Sequence, residues 1–209
     1  MQETRLLLIR HAETSTPDVF HGAESDVGLS AWGGHQAMQL GESLKDQGAH
    51  ALYCSAMQRA VATARPIGAA CRLDACIVPQ LHERKIGPLS GLSREKGWEI
   101  YAESKRRWTS GDLEFTHPGG ESFADIRRRV LPFFEELRTR HRGETLIVVA
   151  HGVVIRVVLL SLLEGLEPAD FDRIAIDFAS INDLRWNGTR WKAHALNQVV
   201  APSPVKPVA

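Results

Sequence analysis

Cysteine is scarce in this 209-residue chain. The three present, Cys54, Cys71 and Cys76, are odd in number and form no Cys-x-x-Cys pair. That excludes a disulfide framework and points to reduced thiols in a cytoplasm. Net charge is missing as well, since 25 basic side chains face 25 acidic ones. A balanced chain has no electrostatic footprint for nucleic acid and no attraction to an acidic membrane surface, so neither is expected as a partner. Long apolar runs are also absent. The first, Leu6–Ile9, is far too short for a signal peptide, and nothing approaches the roughly 20 residues of a membrane-spanning helix. What is present, 44% hydrophobic content over 209 residues, suffices for one α/β domain with a sizeable core.

Two segments carry most of the chemical information. Leu6-Leu7-Leu8-Ile9-Arg10-His11 is an apolar run ending in a guanidinium and an imidazole, and Leu146-Ile147-Val148-Val149-Ala150-His151-Gly152 repeats the pattern. No other internal repeat is evident. If both runs are parallel neighbours in one sheet, both imidazoles emerge at its carboxyl edge, where ligands of open α/β sheets bind. Gly152 lets the backbone come close to whatever lies between them. Tyr53-Cys54-Ser55 then runs into a helix whose first turn carries Arg59, and helix-start amides plus a full positive charge favour an anion. Imidazole as nucleophile and arginine as a forked donor suit phosphoryl chemistry.

At this point the chain resembles the histidine phosphatase superfamily, the phosphoglycerate mutase-like group. The family's Arg-His-Gly-Glu-Thr is similar to Arg10-His11-Ala12-Glu13-Thr14, with Ala12 in place of glycine. Its Leu-Thr-x-x-Gly-x-x-Gln-Ala resembles Leu29 through Ala37, and its Ser-x-x-x-Arg-Ala-x-x-Thr-Ala matches Ser55 through Ala64. Its acidic element resembles Leu81-His82-Glu83 with Gly87 and Gly91, and its final His-Gly is His151-Gly152. The elements occur in family order over roughly residues 5 to 160.

The resemblance implies His11 as the nucleophile that takes up the phosphoryl group, with Arg10, Arg59 and His151 around the phosphate. It implies Glu83 as the acid that protonates the leaving oxygen and later helps activate water. Gly152, Thr14 and Thr16 complete the expected substrate contacts. Neither metal nor cofactor is implied. The partner is a small phosphomonoester, and a homodimer is compatible with the family. One departure stands out: the family's Asn six positions after the nucleophile is Pro17 here, which offers no side-chain donor, so Thr14, Ser15 or Thr16 must supply the missing hydrogen bond or the pocket does without it. Ala12 requires an ordinary backbone conformation at its turn.

The expected architecture is a three-layer α/β/α fold with a mostly parallel central sheet and helices on both faces, phosphoglycerate mutase-like. Strands are predicted at about 4–10, 50–54, 76–79, 144–150, 174–178, 181–187 and 190–196, and helices at 30–47, 56–70, 93–108 and 122–141 and after His151. Ser122-Phe123-Ala124-Asp125 reads as a capping box, and Asn187-Gly188 as a turn. Residues 1–197 form the expected domain and 198–209 a loose, proline-rich tail.

Several features have two readings. Trp98, Tyr101, Trp108 and Phe115 fit a core under a lid better than a clasp on substrate. Arg127-Arg128-Arg129 reads as a solvated face. Pro118–Ser122 resembles a loop of small family members such as α-ribazole phosphatases, which would lie over the pocket and shape substrate choice, and a plain helix-entry turn explains it nearly as well. His11-Ala12-Glu13 is similar to a zinc-deaminase His-x-Glu, but the required Pro-Cys-x-x-Cys is absent. A hydrolase is therefore expected, with a mutase as the alternative and a non-catalytic phosphate-binding protein as a third reading. Family mutases carry a longer span before the second histidine and a His-Tyr pair after the acid, where this chain has Arg84-Lys85-Ile86.

Overall fold

The computed structural model describes residues 3–200. β1 (Thr4–Arg10), β2 (Ala49–Cys54), β3 (Ala75–Ile77) and β4 (Thr145–Ala150) form the parallel part of a six-stranded sheet. β5 (Ser180–Trp186) and β6 (Trp191–Val199) close it antiparallel, in the order β3-β2-β4-β1-β5-β6. Helices α1 (Ala31–Leu44), α2 (Gln58–Cys71), α3 (Arg94–Thr109), α4 (Phe123–Arg140) and α5 (Gly152–Leu162) complete the chain. This is the expected α/β/α arrangement.

Because strand side chains alternate, the near-continuous apolar runs of β1 and β4 feed two cores. Leu7, Ile9, Ile147 and Val149 pack with Ala37, Leu40 and Leu44 of α1 and Ala60, Ala64 and Ile67 of α2. Leu6, Leu8, Leu146 and Val148 pack on the other face with Val130 and Phe134 of α4 and Val154, Ile155 and Val158 of α5. Helix starts follow the side-chain chemistry. Ser30 Oγ accepts from the Gly33 amide, and Ser122 and Asp125 form the reciprocal capping box expected of them.

The register is what builds a site. β1 aligns Arg10 with Ala150 of β4, and β2 aligns Cys54 with Val149. The next residue of each strand, His11, His151 and Ser55, therefore leaves the sheet at the same edge. The His11 amide still donates to Ala150 O at 3.0 Å and the Ser55 amide to Val149 O at 3.0 Å.

Two expectations about elements need correction. No strand forms at 174–178, because its carbonyls are taken by arginines instead of a ladder: Arg156 Nε donates to Ile174 O at 2.8 Å and Arg10 Nη1 to Ile176 O at 2.7 Å. The chain then turns into β5 through Ala179, buried with φ +57°. The last strand also runs past the expected 196, to Val199. Residues 201–209, most of the expected tail, lie outside the described residues. No helix among the described residues is long and apolar enough to cross a membrane.

Candidate active site

His11 is buried at the end of β1. Its Nδ1 lies 2.8 Å from Ala12 O. A carbonyl has no proton to give, so Nδ1 carries the hydrogen and Nε2 keeps its lone pair. Burial first, then Arg59 and Arg10, hold this imidazole well below the ordinary histidine value, so it stays neutral. His151 lies beside it, with ring centroids 5.1 Å apart. Its Nε2 is 2.9 Å from Ser55 Oγ. Burial first, then Arg59 and His11, hold it neutral as well.

Two guanidiniums flank the imidazoles. Arg10 rests on the Phe178 ring at 3.8 Å, and burial pulls its pKa down to about 10. Arg59, on the first turn of α2, donates to Ser25 O at 2.9 Å and Gly22 O at 3.3 Å. Thr63 ties this turn to the nucleophile. Its hydroxyl donates to Arg59 O at 2.7 Å and accepts from the Ala12 amide at 3.0 Å. Glu83 faces the same space, held from both sides: Oε1 accepts from the Arg84 amide at 2.8 Å and Oε2 from Val153, in the first turn of α5, at 3.3 Å.

Arg10, His11, Thr14, Arg59, Glu83 and Gly152 thus line one cleft of about 280 Å³. Several buried polar atoms around it have no protein partner: Arg10 Nε, Arg59 Nε, Thr14 Oγ1, His151 Nδ1 and Arg84 Nη1. Leaving a buried donor unsatisfied costs about 1–3 kcal/mol. Of these residues Arg10, Thr14, Arg59 and Arg84 line the cleft, whereas His151 lies behind its wall against His11; unsatisfied donors beside a cleft are what an oxyanion would satisfy. Thr14, unlike Pro17, brings an unpartnered hydroxyl to the cleft.

Thr16 is not brought into this site. It is exposed, with its hydroxyl 2.8 Å from His21 Nε2, and it forms no part of the cleft wall. The Pro118–Ser122 loop does not cover the cleft either. Gly120 bridges to Ile86, and Glu121 accepts from the Lys85 amide at 2.8 Å, so the loop braces the acid segment instead. Arg129, expected on a solvated face, pairs with Glu121 at 2.8 Å and donates to Gln80 O at 2.6 Å and Glu83 O at 3.4 Å. Of the four aromatics, Trp108 is core, whereas Trp98 and Tyr101 line the cleft.

Sequence reasoning missed Arg84, Arg94, Lys105, Arg156 and Asp172, which all line the cleft. Arg84 reads as one of three consecutive charges. It is fully buried over the Trp108 ring at 4.5 Å, donates to Glu121 O at 2.7 Å, and burial lowers its pKa to about 10. Arg94 and Lys105 could have been found, because they share one face of α3. Among the described residues no group of three or more His, Cys, Asp or Glu side chains could hold a metal ion.

The sequence model for the histidine phosphatase superfamily, branch 1, matches residues 6–199. Phosphoserine phosphatase 1 of Hydrogenobacter thermophilus is 34% identical over 89% of this chain and 88% of its own length. The metal-independent phosphoserine phosphatase of Arabidopsis thaliana is 31% identical over 90% of this chain and 81% of its own. Among solved structures, mycobacterial glucosyl-3-phosphoglycerate phosphatase with VO3 superposes with a TM-score of 0.83 at 26% identity, covering 93% of this chain and 98% of that one.

Proposed function

The chain belongs to the histidine phosphatase superfamily, branch 1, and from that premise we infer a phosphomonoester hydrolase that works through a phosphohistidine at His11. The observation that carries this reading is the neutral imidazole with its Nε2 lone pair free, lining one cleft with Arg10, Arg59 and Glu83.

In the first step Nε2 attacks phosphorus opposite the ester oxygen. The N–P bond forms as the P–O bond breaks, and Glu83 gives its proton to the departing oxygen. In the second, water attacks phosphorus, the Glu83 carboxylate takes the water's proton, and the N–P bond breaks to restore neutral His11. Arg10, Arg59 and the start of α5 oppose the charge on the three equatorial oxygens, which is most of what phosphoryl transfer asks of a protein.

Arg84, Arg94, Lys105 and Arg156 add positive charge along the cleft, against Asp172 alone beyond the acid. That excess favours a leaving group with an anion of its own. Phosphoserine, named in both relatives, carries a carboxylate near its phosphate. A cytoplasmic setting fits three free thiols, of which Cys54 is pushed up to about 11 by burial and so stays unreactive.

Phosphate release from a panel of phosphomonoesters tests the reading. Alkyl esters bearing a carboxylate, such as phosphoserine and 3-phosphoglycerate, are expected to outrun glycerol 3-phosphate in kcat/KM by about tenfold, the worth of one charge-assisted contact. No phosphate release from any ester would overturn it.

A further inference from the structure

Arg94, Trp98, Tyr101 and Lys105 all line the cleft. They are spaced four, three and four residues apart, which stacks them in one stripe along α3. Trp98 is 50% exposed, in a protein that buries most of its large apolar side chains. Its ring lies 6.0 Å from that of Tyr101, which lies 5.3 Å from Phe20, so three aromatics form a row along the cleft wall. Lys105 fixes the outer end of the row. Its ammonium sits 5.3 Å from the Trp98 ring and 5.7 Å from Tyr101, and it pairs with Asp172, a cleft residue from the segment that follows α5. The Lys105 side chain is 17% exposed, a low figure for lysine. The aromatic row is therefore held against the cleft and not turned away into solvent.

Trp98 and Tyr101 take no part in the phosphoryl chemistry, and Trp98 is too exposed to be core. The cleft, about 280 Å³, lies close to the roughly 300–1,000 Å³ of pockets that bury drug-sized ligands, more room than a phosphate alone occupies. We propose that Trp98 and Tyr101 form a stacking subsite for the leaving group, and that the substrate is the phosphate ester of an alcohol that carries a flat ring together with the anionic group that the cleft's cations favour. The subsite rests on the phosphatase reading and adds to it what lies beyond the phosphate. Stacking on an aromatic face rewards flat partners and gives a short chain little.

Benzyl phosphate and ethyl phosphate separate the two ideas. Both leave as poor alkyl alcohols and make the same demand on Glu83, but only one carries a ring. The wild type is expected to favour benzyl phosphate in kcat/KM by tenfold or more, with the difference in KM. Trp98→Ala is expected to reduce that ratio at least fivefold and Tyr101→Leu to reduce it as well, whereas Trp98→Phe keeps it within threefold. Taking a ratio of two esters on the same preparation removes any loss due to misfolding. A Trp98→Ala ratio that falls less than fivefold overturns the subsite, as does a wild type that hydrolyses ethyl phosphate equally well. In both cases the phosphatase reading stands. A wild type that hydrolyses no ester at all overturns that reading, and the subsite with it.

Discussion

Two imidazoles that stay neutral when buried must cost stability in acid. His11 and His151 are held well below the ordinary histidine value near 6.5 in the folded chain, while the unfolded chain takes up protons at that value. Above about pH 6.5 neither state gains. As pH falls below it the unfolded state binds the extra protons, and each imidazole removes up to about 1.4 kcal/mol per pH unit until its folded pKa is reached. Unfolding free energy is therefore expected to drop steeply as pH falls below about 6.5. Replacing His151 by Asn should reduce that slope by up to about 1.4 kcal/mol per unit. Equal slopes in denaturant titrations of the two proteins would contradict the burial argument. For Glu83→Gln the loss is expected to be about 10²–10⁴-fold on an alkyl phosphate and much smaller on p-nitrophenyl phosphate, whose leaving group needs no proton. Equal losses on both would remove Glu83 from the first step. Arg10, His11, Arg59 and His151 are legible in the sequence because each sits at a strand end or helix start, whereas Glu83, in a run of three charges, is singled out only by the family resemblance through Gly87 and Gly91. Arg84 is not, because a run of three charges gives no sign that the middle one is buried on a tryptophan ring.

At the scale of elements, strands and helices follow the apolar period, and the failures occur where side chains substitute for backbone pairing. The 174–178 segment has the apolar residues of a strand, but Arg10, at the end of β1, and Arg156, on α5, take its carbonyls from 166 and 18 residues away in sequence. Likewise the 118–122 loop looks like a lid in sequence and acts as a brace, because Glu121 meets Lys85 and Arg129. The junction between the nucleophile's turn and α1 offers a sharp test. A Cβ on Gly33 would lie 2.1 Å from Glu13 O, whereas one on Gly34 would meet nothing within 4 Å. Gly33→Ala is expected to cost about 1–3 kcal/mol through overpacking and to lower Tm by roughly 2–12 °C. Gly34→Ala is expected to gain about 0.5–1 kcal/mol from helix propensity and to raise Tm by roughly 1–4 °C. Thermal melts of the two neighbours should move in opposite directions, and a shared direction would refute the close approach.

For the molecule as a whole, charge is balanced in composition and unbalanced in place. The 25 basic and 25 acidic residues cancel, yet the cleft gathers Arg10, Arg59, Arg84, Arg94, Lys105 and Arg156 against Glu83 and Asp172. With arginines supplying the charge that a metal would otherwise supply, excess EDTA is expected to leave phosphate release unchanged. A loss restored by zinc or magnesium would contradict that. The same cleft sets hydrolysis against transfer, since water must reach phosphorylated His11 for phosphate to be released. Inorganic phosphate is therefore expected to be the main product from 3-phosphoglycerate, and faster formation of 2-phosphoglycerate in the presence of the bisphosphate primer would favour a mutase.

The central claim is the bond between phosphorus and His11 Nε2. Rapid mixing with ³²P-labelled substrate, followed by acid or alkaline quench, reads it directly. The expected result is a labelled protein whose phosphate is lost in acid and kept in alkali, as a phosphohistidine requires, absent from His11→Ala along with all turnover. Turnover in His11→Ala, or a wild type that releases phosphate without any acid-labile, alkali-stable label, would contradict the account.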